Sequence, residues 1–247
     1  MPLCEGIATA KRDGRIPSHL QFISTNRIDA MSVERLTAMR RAGFRVLGFG
    51  IESFSQRVLG EFNKARIYRH IEPMLSAALA VGMTPFLDLI LSSPRASLED
   101  VAVTLREAHR WLLRGCEIGM YPYVIPFSGA ALAKDPSLAP HVQYVAREIA
   151  GTGISWSQPA KILPIDPVVA DVVLRIERSF ELMLGSFEAD VAHLPSRLRS
   201  LLWILCSLRI MAEHGHYIAS ESELRAQLYA RLPALRHGAT RLVAARA

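Results

Sequence analysis

An alternation constrains this 247-residue chain more than any other feature of its sequence. Four times, an apolar run of strand length passes through a polar turn into a helical pattern. The runs are Leu20–Thr25, FRVLGFGI from Phe44, MTPFLDLILSS from Met83 and EIGMYPYVIP from Glu117. Strands separated by helices pair in parallel through right-handed crossovers, so the alternation predicts an α/β fold with a parallel sheet. The run from Met83 is mostly apolar, the pattern of a strand covered on both faces.

The helical patterns carry their own punctuation. Residues 3–13 have helical composition and stop at Gly14. Ser32 offers an N-cap to VERLTAMRRAG, with Val33, Leu36 and Met39–Arg40 on one stripe, and Gly43 ends it. Ser53 or Ser55 starts SQRVLGEFNK, and a second helix from Ile67 to Val81 stops at Gly82. Ser97 and Asp100 form a capping-box-like start to VAVTLREAHRWLLRG. Past Ser157 the character changes. QPAKILPIDP reads as a proline-punctuated connector, and three helical patterns follow without a strand: Asp166–Val191, Pro195–His214 and Ser220–Leu232. The last ten residues read as frayed. This places an α/β portion at 1–156 and a helical portion at 157–247.

Composition excludes several function classes. The net charge of +6 comes from scattered arginines, with no basic block interleaved with aromatics, so no nucleic-acid partner is expected. Cys4, Cys116 and Cys206 lie far apart, with neither disulfide nor metal-ligand spacing, which fits a reducing compartment. The start lacks a secretory h-region. Leu198–Met211 is too short, and too interrupted by Arg199 and Arg209, to span a bilayer. A cytoplasmic location with no membrane partner follows as the expectation.

The most informative stretch is Ala42–Lys64, where Glu52 and Ser53 directly follow an apolar strand. Parallel α/β folds bind their ligands at such carboxyl ends. Glu52 has two open readings, a ligand-binding carboxylate or an acid stabilising the next helix through its dipole. Arg27 and Asp29 read as an exposed ion pair in the bland alternative. Asp88 serves either a structural hydrogen bond or a substrate. His214 and His216 lack a third ligand and read as solvent-facing.

Six segments, in order, resemble the later part of a radical S-adenosylmethionine (SAM) domain, particularly the kind with a cobalamin-binding domain upstream. They are STNRID, MRRAGFRVLGFGIES, SQRVLGEFNK, AALAVGMTPFLDLILSSP, SLEDVAVTL and YVIPFSGAAL, spread over about residues 15–135. The resemblance implies an incomplete, TIM-like parallel (β/α) partial barrel of about four strands, followed by the helical region. It also implies SAM and a [4Fe–4S] cluster as cofactors, with cobalamin possible. Reduction of SAM by the cluster would then give a 5′-deoxyadenosyl radical that abstracts hydrogen from an unknown small-molecule substrate. Carried over by position, Glu52 and neighbouring Ser53 would contact SAM, a carboxylate suiting ribose hydroxyls and a cationic cofactor. Thr25 and Arg27 match the polar end of the preceding strand, where arginine suits SAM's carboxylate. Ile90 and Ser92 match the strand lining the adenine, and Ile125 and Pro126 the strand whose backbone meets its edge.

The departures are specific. The family's CxxxCxxC motif, whose thiolates hold the cluster, is absent. Ser92 replaces an expected glycine, Pro94-Arg95 a proline-glycine turn, and Ser128-Gly129-Ala130 a Pro-Gly-Thr. The chain thus reads as starting inside the domain, without the first strands or a metal site of its own. One reading is the C-terminal portion of a radical SAM enzyme, inactive alone and completed by a cluster-bearing half. The other is a non-catalytic fragment or degenerate α/β scaffold that binds a ligand or partner. An unpaired edge at Leu20–Thr25 predicts self-association or poor solubility.

Overall fold

The computed structural model describes residues 2–127, 129–186, 196–216 and 226. Its centre is β2 (Phe44–Glu52), flanked by β1 (Phe22–Asn26) and by β3 (Thr84–Ile90), with β4 (Glu117–Tyr121) beyond β3. All three pairings are parallel and follow chain order. Helices α2 (Val33–Ala42), α3 (Gln56–Glu61), α4 (Tyr68–Ala80) and α5 (Leu98–Arg114) make the crossovers, and α1 (Pro2–Arg12) precedes them. This is the parallel α/β sheet that the alternation predicts, consistent with the partial barrel and helical region that the resemblance implies.

The local signals act where they were read. Ser32 Oγ accepts the N–H of Arg35, and Gly43, in the left-handed region at φ 105°, closes α2. The Ser97–Asp100 capping box is complete, each side chain bonding the other residue's backbone N–H. Ser55 caps α3 by accepting the N–H of Val58.

The helices cover one sheet face only. Leu47, Phe49, Ile51, Leu87 and Leu89 are fully or almost fully buried in one cluster with Leu36, Leu75, Leu105 and Trp111. Each such side chain contributes about 1.5–3 kcal/mol on burial. β3 alternates strictly, with Phe86, Asp88 and Ile90 only partly buried. Coverage of both faces of that strand is therefore corrected. The concave face is open because its neighbours are small, Gly48 and Gly50 on β2 and Gly119 on β4. A Cβ at Gly119 would lie 2.8 Å from the Phe86 ring, so the close approach requires glycine.

The connector reading of QPAKILPIDP also needs correction. Its first part belongs to β6 (Ile154–Ile162), which pairs antiparallel with β5 (Val142–Ile149). Residue 157 lies inside β6. The hairpin projects with Tyr144, Val145, Ile149, Ile154 and Trp156 exposed, so neither strand shows a clean buried-face alternation. The remaining described elements are α6 (Pro167–Ser186) and α7 (Ser196–Glu213). Val169, Val172, Ile176, Ile204 and Leu208 share the sheet's own core, and Ser200 Oγ donates to the Ile118 carbonyl at 2.6 Å. α7 thus extends the outer helical layer beside α5 and β4. The pattern at Ser220–Leu232 and the C-terminal ten residues lie outside the described residues, apart from residue 226. Among the described residues no helix is long and apolar enough to cross a membrane.

Candidate functional site

At the carboxyl ends of β2, β3 and β4 the open face deepens into a cavity of about 620 Å³. Its polar residues include Glu52, Lys64 and Asp88, and its walls include Ile90, Tyr121, Tyr123, Ile125 and Phe127.

Two unusual backbone conformations create the polar corner. Among the described residues, Glu52 and Asn63 are the non-glycine residues with positive φ, at 66° and 55°. For a glutamate the left-handed region costs about 1–2 kcal/mol. At Glu52 it coincides with a register shift against β3, between Gly50 and Glu52. Asn63 follows α3 and turns the chain so that Lys64 reaches back to the strand end. Lys64 Nζ donates to Glu52 Oε1 at 2.6 Å and to the Gly50 carbonyl at 3.3 Å. Gly50 makes the space, since a Cβ there would sit 3.0 Å from Glu52 Oε1. Glu52 therefore lines the cavity, while Ser55 caps α3.

Asp88 stands one pleat deeper, paired across the sheet with Gly50 and Gly119. Burial chiefly, and the Glu52 charge second, raise its carboxyl pKa above the ordinary value. No hydrogen bond or ion pair joins it to a described residue. The structural-bond alternative for Asp88 is thus not what the fold displays.

The cavity's far wall depends on the hairpin. Ile162 N–H donates to the Val124 carbonyl at 2.9 Å, and Val124, Leu138 and Ile162 form a small core against Phe62, Ile90 and Leu132. Tyr123 is held by its hydroxyl donating to Glu177 of α6, while Lys161 lies 4.5 Å from its ring centroid and 2.7 Å from Glu177. Burial first, then the Glu177 and Glu181 carboxylates, push the Tyr123 phenol upward.

The residues singled out from sequence divide between cavity and frame. Glu52, Ile90 and Ile125 line the cavity. Ser53 is buried on the opposite side, its Oγ 2.8 Å from Thr104 Oγ1 and accepting the Ser55 N–H. Ser92 is buried and donates to the Pro122 carbonyl at 2.8 Å, tying β3 to β4. Pro126 is buried between the lining residues Ile125 and Phe127. Thr25 sits on the exposed edge beside Gly48, and Arg27 makes two bonds to Asp29, at 3.1 and 2.9 Å. Those bonds, the largest cause, hold the Asp29 carboxyl below its usual range. Lys64, Tyr121, Tyr123 and Phe127 carried no assignment from sequence. Lys64 nonetheless closes SQRVLGEFNK, one of the six resembling segments, and that was the available signal.

The arrangement of strands and helices has solved counterparts. The radical SAM methyltransferase TsrM from Kitasatospora setae, with tryptophan substrate and the SAM analogue aza-SAM bound, superposes at a TM-score of 0.50 and 13% identity, over 60% of this chain and 30% of its own. The fold of this chain is similar to that of part of this methyltransferase. Two further radical SAM structures superpose less closely. The cobalamin-dependent enzyme OxsB, with aqua-cobalamin bound, matches at a TM-score of 0.47 and 15% identity, over 95% of this chain and 35% of its own. Coproporphyrinogen III oxidase HemN from Escherichia coli matches at 0.39 and 19%, over 49% and 28%. This chain spans 28–35% of the length of these enzymes. No family model and no curated protein matches the sequence.

Within this fold the cysteines stay apart. Cys4 is on α1, Cys116 is buried just before β4, and Cys206 is on α7. Among the described residues no three histidine, cysteine or acidic side chains gather to hold a metal ion. The residues present do not fit an iron–sulfur cluster, so no reaction step is drawn through one.

Proposed function

We propose that this chain is the C-terminal portion of a radical SAM enzyme and that its cavity binds SAM. The observation carrying this is Glu52. It adopts a costly left-handed conformation and faces the cavity, although the helix beside it already has a cap. A volume of about 620 Å³ lies within the range of small-ligand sites.

The residues fit SAM chemically. Glu52 accepts from the ribose hydroxyls, with its second bond to Lys64 fixing its orientation. Ile90 and Ile125 supply apolar surface for the adenine. The Glu52 carboxylate at the strand ends suits a cofactor bearing a sulfonium and an ammonium. This chain's own residues would bind, orient and shield SAM, and the radical chemistry would be the cofactor's. Under this reading a cluster-bearing half, in a longer chain or a partner, would hold the cluster and any cobalamin. We place the protein in the cytoplasm, acting on a small molecule.

The scattered cysteines favour a second reading, an α/β scaffold that binds a nucleotide-like ligand without catalysis. Calorimetric titration with SAM tests the shared part, with micromolar to millimolar binding expected and none overturning it. Anaerobic reconstitution with iron and sulfide, assayed for 5′-deoxyadenosine, tests the rest. Added cluster-bearing half should restore product under the first reading and leave none under the second.

A further inference from the structure

The cavity has two tiers. Glu52, Ile90 and Tyr121 stand at the strand ends, with Ile90 paired to Tyr121. One pleat deeper, Gly50, Asp88 and Gly119 run across three strands. A nucleoside held by the rim leaves the deeper tier to another molecule, and the deeper tier carries one charge.

Among the described residues, none pairs with that charge. Lys64, the cation lining the cavity, is bonded to Glu52 and to the Gly50 carbonyl. Lys161, behind Tyr123, is bonded to Glu177. Asp88 makes no hydrogen bond to a described residue. The glycines leave room on both flanks, as a Cβ at Gly119 would come within 3.2 Å of Asp88 Oδ1. Tyr121, Tyr123 and Phe127 surround the approach with aromatic surface. A carboxylate among aromatic rings is the chemistry that receives an organic cation.

We propose that the substrate carries a protonated amine and that Asp88 is the residue that binds it, beneath the cofactor tier. This rests on the reading of the rim as the SAM site. Asp88 touches substrate and sets specificity through its charge, and the aromatic wall favours an amine on an apolar body.

Phenethylamine and 2-phenylethanol, equal in shape and different in charge, are the probes. Their binding to the full chain is measured by saturation-transfer NMR with SAM present, alongside calorimetric titration of SAM. The amine should bind about tenfold or more tightly than the alcohol. In Asp88→Asn that preference should vanish while SAM affinity stays unchanged. Equal binding of the two probes by the native chain overturns the proposal, and this needs no variant to fold. A preference that survives in Asp88→Asn overturns it too. Weakened SAM binding in Asp88→Asn would assign the cation to SAM itself, also overturning it. Absence of SAM binding in the native chain would remove the rim reading, while the contrast between the probes still decides whether Asp88 selects a cation.

Discussion

Lys64 Nζ lies 2.6 Å from Glu52 Oε1, joining two residues that each stand beside a left-handed backbone turn. The pair is partly shielded, with side chains 33% and 21% exposed, so it orients more than it stabilises. Glu52→Gly should therefore leave stability within about 1 kcal/mol of the native chain, since relief of the φ strain offsets the lost pair and the added chain entropy. Glu52→Gln should keep the fold and weaken SAM by about tenfold. Thermal unfolding and calorimetry measure both, and unchanged affinity in both variants would count against the site.

Asp88 lowers stability at neutral pH. Its folded-state pKa is raised, chiefly by burial, so the folded chain holds that proton more tightly than the unfolded chain. Its contribution is most favourable below the unfolded value of 3.8 and is lost as pH rises through the folded one. Asp88→Asn should raise the urea midpoint at pH 7, with the gain shrinking towards pH 4. A native chain more stable than the variant at pH 7 would contradict this.

Asp100 has the opposite sign. Burial pushes its carboxyl up, but hydrogen bonds from Arg57, Ser55 and Ser97 together bring it to about 2. That stabilisation is complete above the unfolded value of 3.8 and is lost as pH falls towards 2. Asp100→Ala removes the capping box and the tie between α3 and α5, at about 2 kcal/mol. Acid titration of the two proteins followed by circular dichroism should show the variant losing less of its remaining stability between pH 4 and 2.

β1 forms the sheet edge, and Ile23 on it is 74% exposed. An apolar edge with unpaired backbone groups recruits another strand. The chain should self-associate at high concentration, and Ile23→Lys should shift it towards monomer in analytical ultracentrifugation. A monodisperse native monomer would remove this expectation.

Reading residues in order reached some features and missed others for identifiable reasons. Ser32, Ser97 and Asp100 were legible because a cap involves residues three apart. The strands from Phe44 and Met83 were legible because each is an apolar run of strand length between a helix-ending glycine and a polar turn. Ser53, chosen for its place beside Glu52, and Ser92, carried over from the family's adenine-lining strand, tie the frame together. Adjacent residues point opposite ways, and strand ends decide which way. The hairpin of β5 and β6 was missed because its exposed faces impose no pattern.

Short-range chemistry, then, settles the order of strands and helices, their stops and caps, and the parallel sheet they form. It acts through neighbours within one turn or one pleat, which any reader of the chain can count. The meeting of Glu52 with Lys64, the isolation of Asp88 between Gly50 and Gly119, and the wall raised by Ile162 against Val124 come only with folding. Each depends on register between distant segments and on backbone angles that packing imposes against local preference.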